Sequence, residues 1–464
     1  MEQPGESVRT AVFAGQALLI DGWVRDVRLV MEAGRIVVIE RAVTAEPGDH
    51  RYDVVIPGLP NLHSHAFQRG MAGLAEMSGG GEADTFWTWR RVMYRFALTM
   101  SPEQMEVVAQ QAYIDMLESG FTRVGEFHYL HHGQDGTPYD DPAEMAVRIV
   151  AAAQETGIGL TLLPVFYAHA TFGGADPEPH QRRFISDLPL FARMMERSRE
   201  IVATLPEGVV GVAPHSLRAV TPDELMATVA LVPDGPIHIH AAEQVKEVED
   251  CLAWSGQRPV AWLLEHASVD PRWCLIHATH LDEAEVAGLA ASGAVAGLCP
   301  ITEANLGDGI FPGKTFVTQG GRYGVGTDSN VLIGAAAELR QLEYAQRLRA
   351  RERNVLAGRH RSTGRSLVDA ALAGGTQALC GPNTLSGLTV GGPAEFVTLD
   401  ASNVPPVGAD AGDAILDAWI FAGLARVADV WVHGQRVVTG GRHHRREAIA
   451  GAYRRVIAEL VSGL

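Results

Sequence analysis

The stretch Pro57-Gly58-Leu59-Pro60-Asn61-Leu62-His63-Ser64-His65 decides how the rest of the chain is read. An apolar run at 54–56 leads into it, and it ends on two histidines separated by one residue. In extended backbone, residues i and i+2 point to the same side, so His63 and His65 can hold one metal ion between two imidazoles. The H-x-H pattern is short, and two loop histidines bonded to water would read the same. Its weight comes from its place at the head of a long alternation of strand-length and helix-length segments.

Downstream, strand-length apolar runs fall at 122–126, 159–165, 209–213, 237–239, 273–276, 294–298 and 323–325; with 54–56 as the first, there are eight. Between them lie amphipathic segments that mark their own ends. Ser101-Pro102 with Gln104 reads as an N-cap, a proline at N1 and a capping-box partner, and Gly120 stands where a left-handed C-terminal residue belongs. Thr221-Pro222 with Glu224 repeats the arrangement. Eight strands alternating with helices predict an α/β fold, a (β/α)8 TIM-type barrel. Upstream, short strands at 11–20, 26–32 and 35–39 are broken by Asp21-Gly22 and Ala33-Gly34 turns; after a helix at 366–380, strands return at 396–399, 430–432 and 437–438. The expected organisation is a small β-sandwich module formed from both chain ends, residues 1–56 and 385–464, with the catalytic barrel 57–384 inserted between them.

Composition narrows the function. The chain has 464 residues, with 38 Lys+Arg against 55 Asp+Glu, a net charge of −17. An acidic chain with no basic run lacks the electrostatic footprint of a nucleic-acid binder. No apolar run reaches the roughly 18 residues of a membrane span, and Glu2, Glu6 and Arg9 stand where a signal peptide needs apolar residues, so a cytoplasmic protein without a membrane partner is expected. Cys251, Cys274, Cys299 and Cys380 are scattered singly, which fits reduced, buried thiols. Gly313-Lys314-Thr315 lacks the earlier glycine of a P-loop, position 308 being Asp308, and Gly324-x-Gly326 precedes Asp328 with no third glycine, so no nucleotide cofactor is implied.

Three more strand ends carry polar chemistry. His240 closes one run, with Glu243 three residues on; His277 closes the next; Asp328 follows the last. All lie at C-terminal strand ends, the face on which barrel active sites are built. Chance gathering of so many ligands and proton carriers on one face is far less probable than a metal site. A helix N-terminal carboxylate is the bland alternative for Glu243, and His238 and His280 suit packing or support of a ligand rather than ligation.

With H-x-H on the first strand, H-x-x-E on the fifth, H on the sixth and D on the eighth, the chain resembles the amidohydrolase superfamily, in its one-metal deaminase branch. That resemblance implies that His63, His65, His240 and Asp328 ligate one Zn²⁺ per chain, iron being the other candidate because N/O ligands suit several divalent ions. It makes Glu243, His277 and Asp328 the catalytic groups around a water activated by the metal. Two-metal members carry a bridging lysine at the end of strand four; here the stretch 211–216 offers His215. The segments LPNLHSHAFQRGMAG, FWTWRRVMY, EFHYLHH, APHSLRAV, HIHAAEQ and GVGTDSN are similar to the N-formimino-L-glutamate deiminases of histidine degradation. The resemblance implies a small-molecule substrate with two carboxylates, bound by Gln68, Arg90, Tyr129, His215 and Arg218, and a homodimer. Arginine suits carboxylates through its planar fork, although Arg91 competes with Arg90 for the role and a surface salt bridge is the usual fate of either. The rival activity is deamination of a nucleobase or related ring, of the guanine, cytosine or S-adenosylhomocysteine type; the rival from another class is a non-catalytic scaffold, which would have lost its ligands. The histidines of His128-Tyr129-Leu130-His131-His132 could suggest a second metal, but polarity of a loop at the barrel mouth is the expected reading. Phe86 to Trp89, beside Gly79-Gly80-Gly81, reads as a lid, a dimer contact or aromatic packing.

Overall fold

Strands buried on both faces favour continuous apolar sequence, as Gly159–Phe166 has; every residue of Phe121–His128 is buried as well, its polar Arg123 and Glu126 being hydrogen-bonded to the Leu160 carbonyl and the Ala66 N–H. The computed structural model describes residues 9–77, 84–405 and 412–462; Gly79-Gly80-Gly81 and residues 1–8 lie outside them. Eight parallel barrel strands run in chain order. They are Leu59–Ser64, Phe121–His128, Gly159–Phe166, a fourth broken into Val209–Val210 and Ala213–Pro214, then Ile237–Ala241, Trp273–His277, Val295–Leu298 and Arg322–Val325. Isolated parallel bridges, Val212 to Ile237 and Ser216 to His240, join the fourth strand to the fifth, and Ser64 to Asp328 joins the eighth to the first. The last two bridges fall at the predicted ligands, so closing the ring also gathers the site.

The first strand corrects the sequence reading. Residues 54–56 belong to His50–Pro57, which pairs parallel with Thr10–Leu19 and antiparallel with Phe396–Asp400. Two apolar runs abut across Pro57-Gly58, and periodicity alone cannot say which run enters which sheet. A Cβ on Gly58 would lie 2.1 Å from the Thr122 side chain, so only glycine lets the chain cross there into the barrel. Helix Thr363–Cys380 closes on the barrel with similar tightness, a Cβ at Gly374 falling 2.0 Å from the Tyr323 carbonyl oxygen.

The chain ends meet in one hydrogen-bonded sheet. Its order is Arg442–His443, Gln435–Thr439, Arg426–Val432, Phe396–Asp400, His50–Pro57, Thr10–Leu19, Gly22–Glu32, Arg35–Glu40. It has its own core, including Val12, Leu29, Ile36, Phe396 and Trp431. The last helix, Arg446–Ser462, leaves this sheet and lies on barrel helix Pro102–Ser119, where the Tyr453 hydroxyl donates to the Arg69 carbonyl at 2.9 Å. The expected caps form: Ser101 and Gln104 exchange side-chain and backbone hydrogen bonds at 3.2 and 3.0 Å, and Gly120 adopts φ 106°. Among the described residues no helix is long and apolar enough to cross a membrane.

Candidate active site

His63 and His65 end the first barrel strand, His240 the fifth, and Asp328 follows the eighth. The His63 Nε2 lies 3.2 Å from His65 Nε2, 3.1 Å from His240 Nε2 and 3.3 Å from Asp328 Oδ1, which is itself 3.1 Å from His65 Nε2. Around an ion at about 2.0–2.1 Å, tetrahedral ligand atoms sit about 3.3–3.4 Å apart, so the donor set fits a single divalent cation. The protonation pattern fits as well. The Nδ1–H of His65 donates to the Phe127 carbonyl at 2.9 Å and that of His240 to the His215 carbonyl at 3.1 Å, which leaves the Nε2 lone pairs facing one another. Burial pushes His63 down to about 3, against the pull of Asp328, and burial with the neighbouring imidazoles holds His240 well below the usual histidine range. Burial works against the Asp328 carboxylate, but its contacts with His63 and His65 prevail and keep it well below the usual carboxylate range. Three imidazoles and one carboxylate converging on one point form a donor set that could hold a cation.

The buried polar lattice beneath explains the precision. Asn61 Nδ2 donates to Thr327 Oγ1 at 2.7 Å, Thr327 N–H returns to Asn61 Oδ1 at 3.0 Å, and Asn330 Nδ2 donates to Ser64 Oγ and the His65 carbonyl, both at 3.1 Å. First and eighth strand ends are thereby fixed to each other. Ala242, His277, Ala278, Asp328 and Asn330 all have positive φ, between 47° and 67°, a conformation that non-glycine residues adopt at a cost and that clusters at working sites.

Glu243 and His277 face this centre. The His277 Nε2 is 3.8 Å from Glu243 Oε1 and 3.8 Å from Asp328 Oδ2, a separation that leaves room for reacting atoms between them. The Ala242 and Glu243 N–H groups donate to Glu247 at 3.2 and 3.1 Å, which holds the turn that aims Glu243. Burial raises the Glu243 carboxyl, opposed by His277 and Arg218 and reinforced by Asp328. Burial acts to lower His277, but Glu243, Glu303 and Asp328 outweigh it and raise the imidazole to about 10; a bound cation acts in the opposite direction.

A cavity opens above, and every predicted substrate residue lines it: Gln68, Arg90, Tyr129, His215 and Arg218. Gln68 Nε2 donates to the Tyr129 hydroxyl at 2.8 Å, while Gln68 Oε1 is buried without a donor. The Arg90 guanidinium lies over the rings of Trp87 and Tyr94 and donates to the Tyr167 hydroxyl at 3.1 Å. Arg218 is buried and its Nε has no partner; among the described residues neither arginine has a carboxylate within ion-pair distance. Arg91, one step around helix Phe86–Thr99, is exposed. That helix also brings Phe86, Trp89, Met93 and Tyr94 to the cavity wall.

Other histidines go elsewhere. His131 and His132 are buried, against the expectation of a polar mouth, because their Nε2 atoms meet the carbonyls of Val165 and Ile185, each at 2.8 Å. His238 Nε2 donates to the Ala378 carbonyl at 2.8 Å and His280 Nε2 to that of Asp308 at 2.9 Å, the packing roles expected. Sequence reasoning missed Tyr167, Tyr94, Phe184 and Glu303. Tyr167 was findable, since it directly follows the third barrel strand; Glu303 left no signal, its contact with His277 depending on how the helix after the seventh strand meets the end of the sixth.

Comparison with known proteins places the chain in a family. The Amidohydrolase family matches residues 54–437, and the family described as Formimidoylglutamate deiminase HutF, N-terminal domain, matches 9–53. The chain is 52% identical to a formimidoylglutamate deiminase of Pseudomonas aeruginosa over 97% of its own length and 100% of the relative, and 29% identical to an 8-oxoguanine deaminase of the same organism over 69% and 72%. A crystal structure of an amidohydrolase from Brucella melitensis superposes with TM-score 0.95 at 57% identity, covering 97% of this chain and 100% of that one. A zinc-bound adenosine deaminase from Xanthomonas campestris superposes with TM-score 0.80 at 22% identity over 99% and 100%, a likeness of fold. With both the barrel and the N-terminal strands matched, this chain belongs to the amidohydrolase family and, within it, to the formimidoylglutamate deiminases.

Proposed function

We propose that this chain hydrolyses N-formimino-L-glutamate to N-formyl-L-glutamate and ammonia in histidine breakdown. The observation that carries the reading is the pair of guanidiniums, Arg90 and Arg218, lining one cavity with the His63, His65, His240 and Asp328 cluster and free of protein carboxylates among the described residues. A substrate with two carboxylates supplies what both arginines lack; the identity to the Pseudomonas deiminase supports the same substrate. A nucleobase would suit the aromatic wall of Trp89, Tyr94 and Phe184 but would leave both charges unpaired.

His63, His65, His240 and Asp328 would hold a divalent ion such as zinc, which would lower the pKa of a water there to about 7 and so supply the nucleophile. Asp328, held as carboxylate, accepts the proton of the attacking water. His277, aimed at the space between Asp328 and Glu243, stabilises charge developing there. Addition to the formimidoyl carbon leaves it bearing a terminal nitrogen and the nitrogen joined to glutamate. Arg90 and Arg218 hold the glutamate portion toward the cavity wall, so the terminal nitrogen lies nearest Glu243. Glu243, whose carboxyl is raised by burial, protonates that nitrogen, and ammonia leaves. Gln68 Oε1, buried without a donor, accepts the substituted N–H.

The working unit is the barrel, residues 57–384, supported by the module of residues 1–56 and 385–464; the enzyme acts as a homodimer in the cytoplasm. NMR of a completed reaction tests the assignment. N-formylglutamate and ammonia are expected, whereas formamide with free glutamate would mean that the proton reaches the other nitrogen.

A further inference from the structure

Glu303 lies on helix Pro300–Leu306, directly after the seventh barrel strand, and is buried at 6% exposure. Its Oε1 accepts the Cys299 N–H at 2.8 Å and faces His277 Nδ1 at 3.3 Å. The backbone contact fixes the carboxylate, so the histidine has a rigid acceptor.

Ring packing alone does not fix which edge of His277 faces the reacting centre. The ring stacks on His240 at 5.6 Å and 12°, and its edge approaches His63. Stacking fixes the plane of an imidazole but does not distinguish its nitrogens from its carbons. A half-turn about Cβ–Cγ keeps the stack and puts Cε1, not Nε2, between Glu243 and Asp328. Glu303 breaks that degeneracy, since only the observed orientation places Nδ1–H on a carboxylate. The same segment grips its neighbours elsewhere: the Asp308 carboxylate accepts from Gln244, and its carbonyl from His280 at 2.9 Å.

We propose that Glu303 is a positioning residue that selects the ring orientation of His277, directing Nε2 at the reacting centre. It rests on the proposed role of His277 but not on the identity of the substrate.

The test is a double-mutant cycle on the metal-loaded enzyme, with kcat and KM measured separately. Glu303→Ala should lower kcat about 10- to 100-fold, the usual effect of losing such a partner, with KM changed less than about twofold. Glu303→Gln should recover most of the loss, because its amide oxygen accepts both N–H groups. In a His277→Ala background, Glu303→Ala should cost less than about twofold; an equal loss in both backgrounds would show a merely structural role and overturn the proposal. A second readout is the ¹⁵N-coupled proton of His277 Nδ1, identified by its disappearance in His277→Ala. It should be far downfield in the native enzyme and move upfield in Glu303→Gln, which covers the case in which Glu303→Ala fails to fold. An unmoved resonance would refute the contact. If the Glu303 effects appear while N-formimino-L-glutamate is not the substrate, the substrate assignment falls and the positioning role stands.

Discussion

Replacing Arg218 by methionine separates a substrate clamp from a structural arginine. The side chain is 7% exposed, its Nε is buried without a partner, and among the described residues no carboxylate lies within ion-pair distance, so in the free protein its charge has only the longer-range attraction of Glu243. Truncating one partner of a buried, hydrogen-bonded charge pair costs roughly 2–5 kcal/mol, and each 1.4 kcal/mol is tenfold in rate. Because Arg90 remains in the same cavity, the lower half of that range applies, about 30- to 300-fold in kcat/KM. The free protein should respond in the opposite sense. Arg218→Met removes an unpaired buried charge and keeps the apolar stem, so the Tm without substrate should hold or rise. The stabilisation conferred by a non-hydrolysable dicarboxylate analogue should shrink. Steady-state kinetics and thermal denaturation with and without the analogue are the assays. A fall in the Tm of the free protein, with the analogue still stabilising the variant fully, would refute the clamp.

Elemental analysis should find one divalent metal per chain, lost in His63→Ala or His240→Ala; two equivalents, or full activity with none, would contradict the four-ligand centre. Glu243→Gln should retain the metal yet lose at least roughly 10²-fold in kcat, and near-normal turnover would reduce the carboxyl to a cap of its turn. His443 gives a pH test away from the site. Its Nε2 donates to the Thr156 carbonyl at 2.9 Å while Nδ1 accepts the Arg445 N–H at 3.1 Å, so the neutral ring is satisfied, and burial lowers it from 6.5 to about 4. The unfolded chain therefore binds this proton first: the contribution is complete above about pH 6.5 and is lost as pH falls toward 4. The ceiling is about 3 kcal/mol, reduced by solvent screening. Denaturant titrations of His443→Gln between pH 7 and 4 should show a flatter profile than the native protein; identical slopes would refute the assignment.

Local physics made much of this protein legible from its residues. Ser101 with Gln104, Thr221 with Glu224 and the left-handed Gly120 act within a few residues of themselves, so their structural consequences follow from their order in the chain. Period-two alternation put His63 and His65 on one side, and barrel geometry put the ends of the later strands on the same face. What order could not decide was anything that depends on which segments meet. The run 54–56 joined the outer sheet because its partners are Thr10–Leu19 and Phe396–Asp400, strands near the start and far down the chain. Arg90 and Arg91 have the same chemistry, and only the packing of helix Phe86–Thr99 on the barrel turned one inward and left the other exposed. His131 and His132 were buried by carbonyls from other loops. Glu303 came against His277 because two helix-strand connections close on each other. Sequence order determines the chemistry available at each strand end; tertiary packing decides which groups are desolvated together, and it is desolvation that sets their charge, orientation and use.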